Sequence, residues 1–76
     1  MNYLNQRSKE IRKELGYNQD EYSQLLGVKR CTLGAYEENR AQIPLYLIPK
    51  IMELGNVSKK DMYDFIFNED FKIEEA

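Results

Sequence analysis

Apolar residues return along this chain at helical intervals, and glycine, asparagine and proline cut the runs off. Leu4, Ser8, Ile11 and Leu15 share one helix face with Lys and Arg between them, and Gly16 follows as a residue suited to the left-handed conformation that closes a helix. A second helix, over about residues 19–26, opens with Asn18 as cap and Glu21 three residues on, the pairing of a capping box. Tyr22, Leu25 and Leu26 form its expected buried face, and Gly27 ends it. The third helix spans about residues 30–37, with Leu33 and Tyr36 facing inward. A loop from Glu38 to about Tyr46 carries Asn39 and Pro44 as breakers. Pro49 fits a fourth helix starting near Ile48, because the first turn needs no backbone donor there; Ile51, Met52 and Leu54 fill its inner side, and Gly55-Asn56 stops it. Ser58, with Asp61 three residues later, predicts the cap of a fifth helix whose Met62, Phe65 and Ile66 share a face. Beyond Phe67 the period shortens. Phe71 and Ile73 alternate with Lys72 and Glu74, which suits an extended arm or short strand. The pattern therefore predicts an all-α fold of five helices over residues 1–67, followed by an acidic tail at residues 68–76.

Composition narrows what such a fold does. A chain of 76 residues holds one small domain, which at this size buries only about 60% of its unfolded surface. The N-terminal stretch lacks the apolar core of a signal peptide, and the apolar run from Ile43 to Pro49 is far too short to span a bilayer, so a cytoplasmic protein without a membrane partner is expected. The chain has one cysteine, Cys31, and no histidine. That combination offers no internal disulfide, no zinc-type ligand set and no usual general base, so neither metal, cofactor nor catalytic constellation is expected. The adjacent acids Glu37-Glu38 and Glu74-Glu75 suit solvated surface rather than catalysis. The net charge is -2, but residues 1–50 hold 8 Lys/Arg against 6 Asp/Glu and residues 51–76 hold 3 against 7. The acid gathers in the back half.

Several stretches in order then carry a resemblance: Arg12, the Gly16-Tyr17-Asn18-Gln19 turn, QDEYSQLLGV (residues 19–28), TLGAYEEN (32–39), Pro44 and ELGNVSKKDMYDF (53–65). No single piece is specific, but their order and spacing resemble the Cro/repressor (Xre-like) helix-turn-helix family of phage and bacterial regulators, with its lambda-repressor-like fold. The resemblance implies that the third helix enters the major groove of double-stranded DNA with its N-terminal residues toward the bases. Arg30 and Cys31 match the first two base-facing positions, with Thr32 and Ala35 next on or near that face. Arg30 is suited to bidentate pairing with guanine O6 and N7, whereas Ala35 reaches at most a thymine methyl. Gln19 matches a glutamine that binds phosphate at a helix N-terminus. Lys29 stands where the family commonly places a Ser or Thr cap, and a lysine there reaches toward phosphate instead. Asn39, Arg40 and Gln42 fall in the loop that the family uses to clamp the sugar-phosphate backbone. Ser23 replaces the usual alanine where the second and third helices pack closely. Arg12 and Glu37 match an ion pair joining the first helix to the third.

Three expectations concern partners and reactivity. Tyr63, Phe65, Ile66, Phe67, Phe71 and Ile73 supply more apolar residues than a short C-terminal segment easily buries alone, which points to a homodimer seam suited to a palindromic operator. Read as a repressor, the chain would act by occluding a promoter. Alternatively, the same apolar residues would make the fold an interaction module, such as an antitoxin that neutralises a partner protein. Cys31, near a helix N-terminus beside Lys29 and Arg30, reads first as a small, weakly polar recognition-helix residue, with a redox switch as the sharper alternative.

Overall fold

A computed structural model describes residues 2–72. Among them the elements are α1 (Leu4–Glu14), α2 (Gln19–Leu26), α3 (Arg30–Glu37), α4 (Ile48–Leu54) and α5 (Met62–Phe67), with single 3-10 turns at Leu45–Leu47 and Lys59–Asp61. No strand occurs among the described residues. α1 lies at the centre of the packing: α3, α4 and α5 each rest against it, and α2 packs on α3. Tyr22, Leu33, Ile51 and Phe65 are fully buried, with Leu4, Ile11 and Ile43 nearly so, and these residues join the helices into one core.

Local chemistry sets the helix ends. Gly16 and Gly27 take φ of 80° and 74°, the left-handed conformation that turns the chain after α1 and α2. At the end of α4 that conformation falls to Asn56 (φ 56°), not to Gly55. Gly55 serves packing instead: a Cβ there would stand 2.5 Å from Ile11 Cδ1, so the missing side chain lets α1 close on the end of α4. Pro49 sits in the first turn of α4 as its missing N–H requires.

The structure corrects several expected burials. α1 stops at Glu14, so Leu15 becomes its cap and is exposed. Leu25 is also exposed, because Tyr22, Ser23 and Leu26 fill the one stripe of α2 that reaches the core. Met62 is exposed and Ile66 half-buried, since six residues of α5 bring a single side chain, Phe65, fully inside. Ser58 does not cap α5; a 3-10 turn intervenes, and its hydroxyl donates to the Asp61 carboxylate at 3.0 Å.

Residues 68–72 form a turn and a short irregular segment rather than an extended arm, and Arg7 holds this segment to α1. Its guanidinium is buried and donates to the carbonyls of Phe65, Asn68 and Glu69, which satisfies acceptors left open by the end of α5. The Tyr3 and Phe71 rings lie 5.6 and 5.9 Å from the same cation, and Phe71 packs edge-on against Phe65. Ile73 lies outside the described residues.

Candidate nucleic-acid interface

The two helices of the motif are fixed by different means. α2 begins with a complete capping box: the Glu21 amide donates to Asn18 Oδ1 at 2.8 Å, and the Asn18 amide donates to Glu21 Oε1 at 2.9 Å. Ser23 is buried, and its hydroxyl donates to the Asp20 carbonyl at 2.8 Å. The Gly27 turn then delivers Lys29, in extended conformation, to the start of α3. No side chain caps α3, so its first amides are left to solvent or a ligand.

Burial of Leu33 and Tyr36 orients α3 and thereby decides what it offers outward. Arg30 and Cys31 are exposed in its first turn, while Thr32 and Ala35 are half-buried at the edges of the outer face. Gly34, which the sequence reading passed over, shares that outer face, and a Cβ added there would meet nothing within 4 Å. Its signal in the sequence was a helix-interior glycine without a turn to explain it.

A buried carboxylate ties this helix to the rest. Arg12 Nε and Nη2 donate to the two oxygens of Glu37 at 2.7 and 3.0 Å, and Arg12 Nη1 donates to the Tyr17 carbonyl at 3.0 Å. Gln19 Nε2 donates to Glu37 Oε1 at 3.0 Å. One salt bridge thus joins α1, the following turn, α2 and α3. Burial alone raises the Glu37 pKa, but the hydrogen bonds from Arg12 and Gln19 and the nearby positive charges outweigh it, and the carboxyl is held below its ordinary value. Gln19, expected to meet phosphate, spends one amide hydrogen inside this network and remains half-buried at the N-terminus of α2.

The cations expected at the backbone are all on the surface. Lys29 and Arg30 form no ion pair among the described residues. Arg40 pairs with Glu38 at 2.8 Å, but both side chains are exposed, and such pairs contribute little against water or a phosphate. Asn39 takes φ of 59° where the chain leaves α3, and Gln42 is exposed two residues after Arg40. Beneath this loop lies Asn5 of α1, a buried amide that the sequence reading missed because nothing in its neighbours marks it.

At the expected seam the structure separates core from surface. Phe65 is fully buried and is removed from any interface by its own fold. Tyr63 and Phe67 are exposed and packed together with ring centroids 4.9 Å apart. Beside them Leu45, Pro49, Met52, Val57, Met62 and Ile66 line an apolar groove between α4 and α5. Among the described residues no group of His, Cys, Asp and Glu could hold a metal ion, and no helix is long and apolar enough to cross a membrane.

Comparison with curated proteins and with solved structures gave no significant match. The family model described as helix-turn-helix, by contrast, matches residues 9–61, which takes in α1 from Lys9 through α4 and on to the turn before α5. With its capped α2, glycine turn and outward-facing α3 inside that span, the chain belongs to the Cro/C1-type (Xre-like) helix-turn-helix family of DNA-binding regulators.

Proposed function

We propose that this chain is a sequence-specific transcriptional repressor that binds double-stranded DNA as a homodimer, laying α3 in the major groove of each half of a palindromic operator. The observation that carries the reading is the first turn of α3: Arg30 and Cys31 stand exposed on a helix whose opposite side is locked in the core, with Lys29 beside them and no capping side chain in the way. Arg30 is the residue for base readout, with Cys31, Thr32 and Ala35 completing the face, and Gln19, Lys29, Asn39, Arg40 and Gln42 hold the backbone. In this reading residues 1–67 are the DNA-binding domain and residues 68–76 its acidic tail, the protein works in the cytoplasm on chromosomal or phage DNA, and repression follows from covering the promoter.

The dimer is assigned to the surface rather than to the buried aromatic. Tyr63 and Phe67, with Leu45, Met62 and Ile66 of the groove, supply the exposed apolar area that a second copy would cover, whereas Phe71 is half-buried against Phe65 and Arg7. So few cations per chain give a modest affinity, and pairing two chains doubles the phosphate contacts.

Selection of sites from a randomised duplex pool, followed by binding of the selected duplex at two salt concentrations, tests the reading. A palindromic site is expected, with discrimination at one symmetric base pair lost in Arg30→Ala. A folded protein that enriches no site would instead favour the interaction-module reading, for which the same apolar groove would hold a partner protein in the manner of an antitoxin.

A further inference from the structure

The loop after α3 carries three of the residues assigned to the DNA backbone, yet it has no helix of its own to hold it. Its start is fixed by the end of α3, where the amides of Asn39, Arg40 and Ala41 turn back to the carbonyls of Tyr36 and Ala35. Its far end is fixed by Ile43, which is buried in the core. Between these points the loop leans chiefly on Asn5, from the other end of the chain, with one longer bond from Gln42 Nε2 to Asn2 Oδ1 at 3.4 Å. Asn5 Nδ2 donates to the Ala41 carbonyl at 2.8 Å and to Asn39 Oδ1 at 3.3 Å, while Asn5 Oδ1 accepts from the Ile43 amide at 3.2 Å and from Gln42 Nε2 at 3.3 Å. An asparagine side chain has two donor hydrogens and an oxygen with two acceptor sites, so its capacity is filled by this loop alone. The bonds to Ala41 and Ile43 are the firm ones; the two longer bonds orient the amides of Asn39 and Gln42.

We propose that Asn5 is a positioning residue for DNA binding: from α1 it fixes the path of residues 39–43, so that Asn39, Arg40 and Gln42 meet phosphates without first having to be ordered. This rests on the DNA-binding reading above. The physical gain is preorganisation, since a loop held in its bound path before contact loses less freedom on binding. Arg40 itself makes no bond to Asn5. Its guanidinium stays exposed in a surface pair that a phosphate readily replaces, and only the backbone beneath it is pinned.

The test is a double-mutant cycle on the full chain, with the operator duplex obtained by selection as probe. Each variant is measured at a temperature at which its melting curve shows it folded. Asn5→Ala is expected to weaken binding about tenfold and to lower the salt slope by about one phosphate contact. In an Arg40→Gln/Gln42→Ala background the same change should cost clearly less, because of the three groups it positions only Asn39 remains. A purely structural asparagine would leave the salt slope alone and add its effect in both backgrounds. Folded Asn5→Ala that binds like wild type, or a loss equally large in the two backgrounds, overturns the proposal. Should Asn5→Ala not fold, Asn5→Asp takes its place, keeping the volume and the acceptor for Ile43 while setting an oxygen against the Ala41 carbonyl. If neither folds, Asn5 serves the fold alone and the proposal ends. Wild-type protein that binds no DNA overturns the underlying reading too, whereas a loop double variant that binds like wild type overturns the loop contact on its own.

Discussion

Glu37 shows how one side chain serves fold and site together. Its carboxylate is almost fully buried and accepts from both Arg12 and Gln19, so its removal strands a guanidinium with a single carbonyl partner. Glu37→Ala is expected to cost about 3 kcal/mol or more, the range for breaking a buried pair, and a thermal melt of the variant would read it directly. The same pair sets an acid limit. Because the folded pKa lies below the ordinary 4.5, the contribution is fully present above that value and is lost as pH falls through the folded pKa. Wild type should therefore lose stability on acidification below pH 4.5 more steeply than Glu37→Gln, as urea midpoints across that range would show. Gly34 makes the opposite case. Nothing in the free protein requires the glycine, so Gly34→Ala should stabilise the chain by about 1 kcal/mol through helix propensity. On the outer face of α3, however, the new methyl would stand toward the groove, and DNA affinity should fall as the melting temperature rises. A variant that melts higher and binds equally well would remove Gly34 from the contact surface.

At the scale of elements, the contrast between α2 and α3 is one of capping. α2 has both halves of its capping box and a left-handed glycine at its end, whereas α3 begins at Lys29 without a side-chain cap. Lys29→Ser would supply the missing acceptor and is expected to raise stability by about 1 kcal/mol. It would also remove a cation, lowering the slope of binding against salt by about one contact. Opposite movement of stability and binding in this one variant would show that α3 exchanges part of its own stability for contact with DNA. A cap that leaves binding and its salt slope unchanged would return Lys29 to ordinary surface.

At the scale of the whole molecule, the question is how an acidic chain sits on a polyanion. The net charge of -2 matters less than its placement, for Lys29, Arg30 and Arg40 are exposed around α3 while the acid is concentrated after residue 50. The C-terminal segment also shows how folding divides one apolar run between core and surface. Phe65→Ala should cost about 3–5 kcal/mol, because it empties a site at the centre of the core. Tyr63→Glu should leave the melting temperature of the monomer near wild type and shift sedimentation toward the monomer. Equal behaviour of the two variants would show that Tyr63 is not part of a separate surface. Much of this fold was legible before any tertiary contact was known. The Asn18 cap, the left-handed Gly16 and Gly27, the bounds of α3 and the first turn of α4 follow from interactions that close within about one helical turn, and such interactions are written in adjacent residues. The order of those signals was also enough to point to the family. What the sequence could not decide depends on partners far away in the chain. Asn5 meets Ala41 and Arg7 meets Phe65, pairs 36 and 58 residues apart, so no local pattern marks either side chain as buried. For the same reason the periodicity of α5 named its apolar residues without saying which faces α1. Only the packing of α5 against α1 put Phe65 inside and left Tyr63, Met62 and Phe67 at the surface.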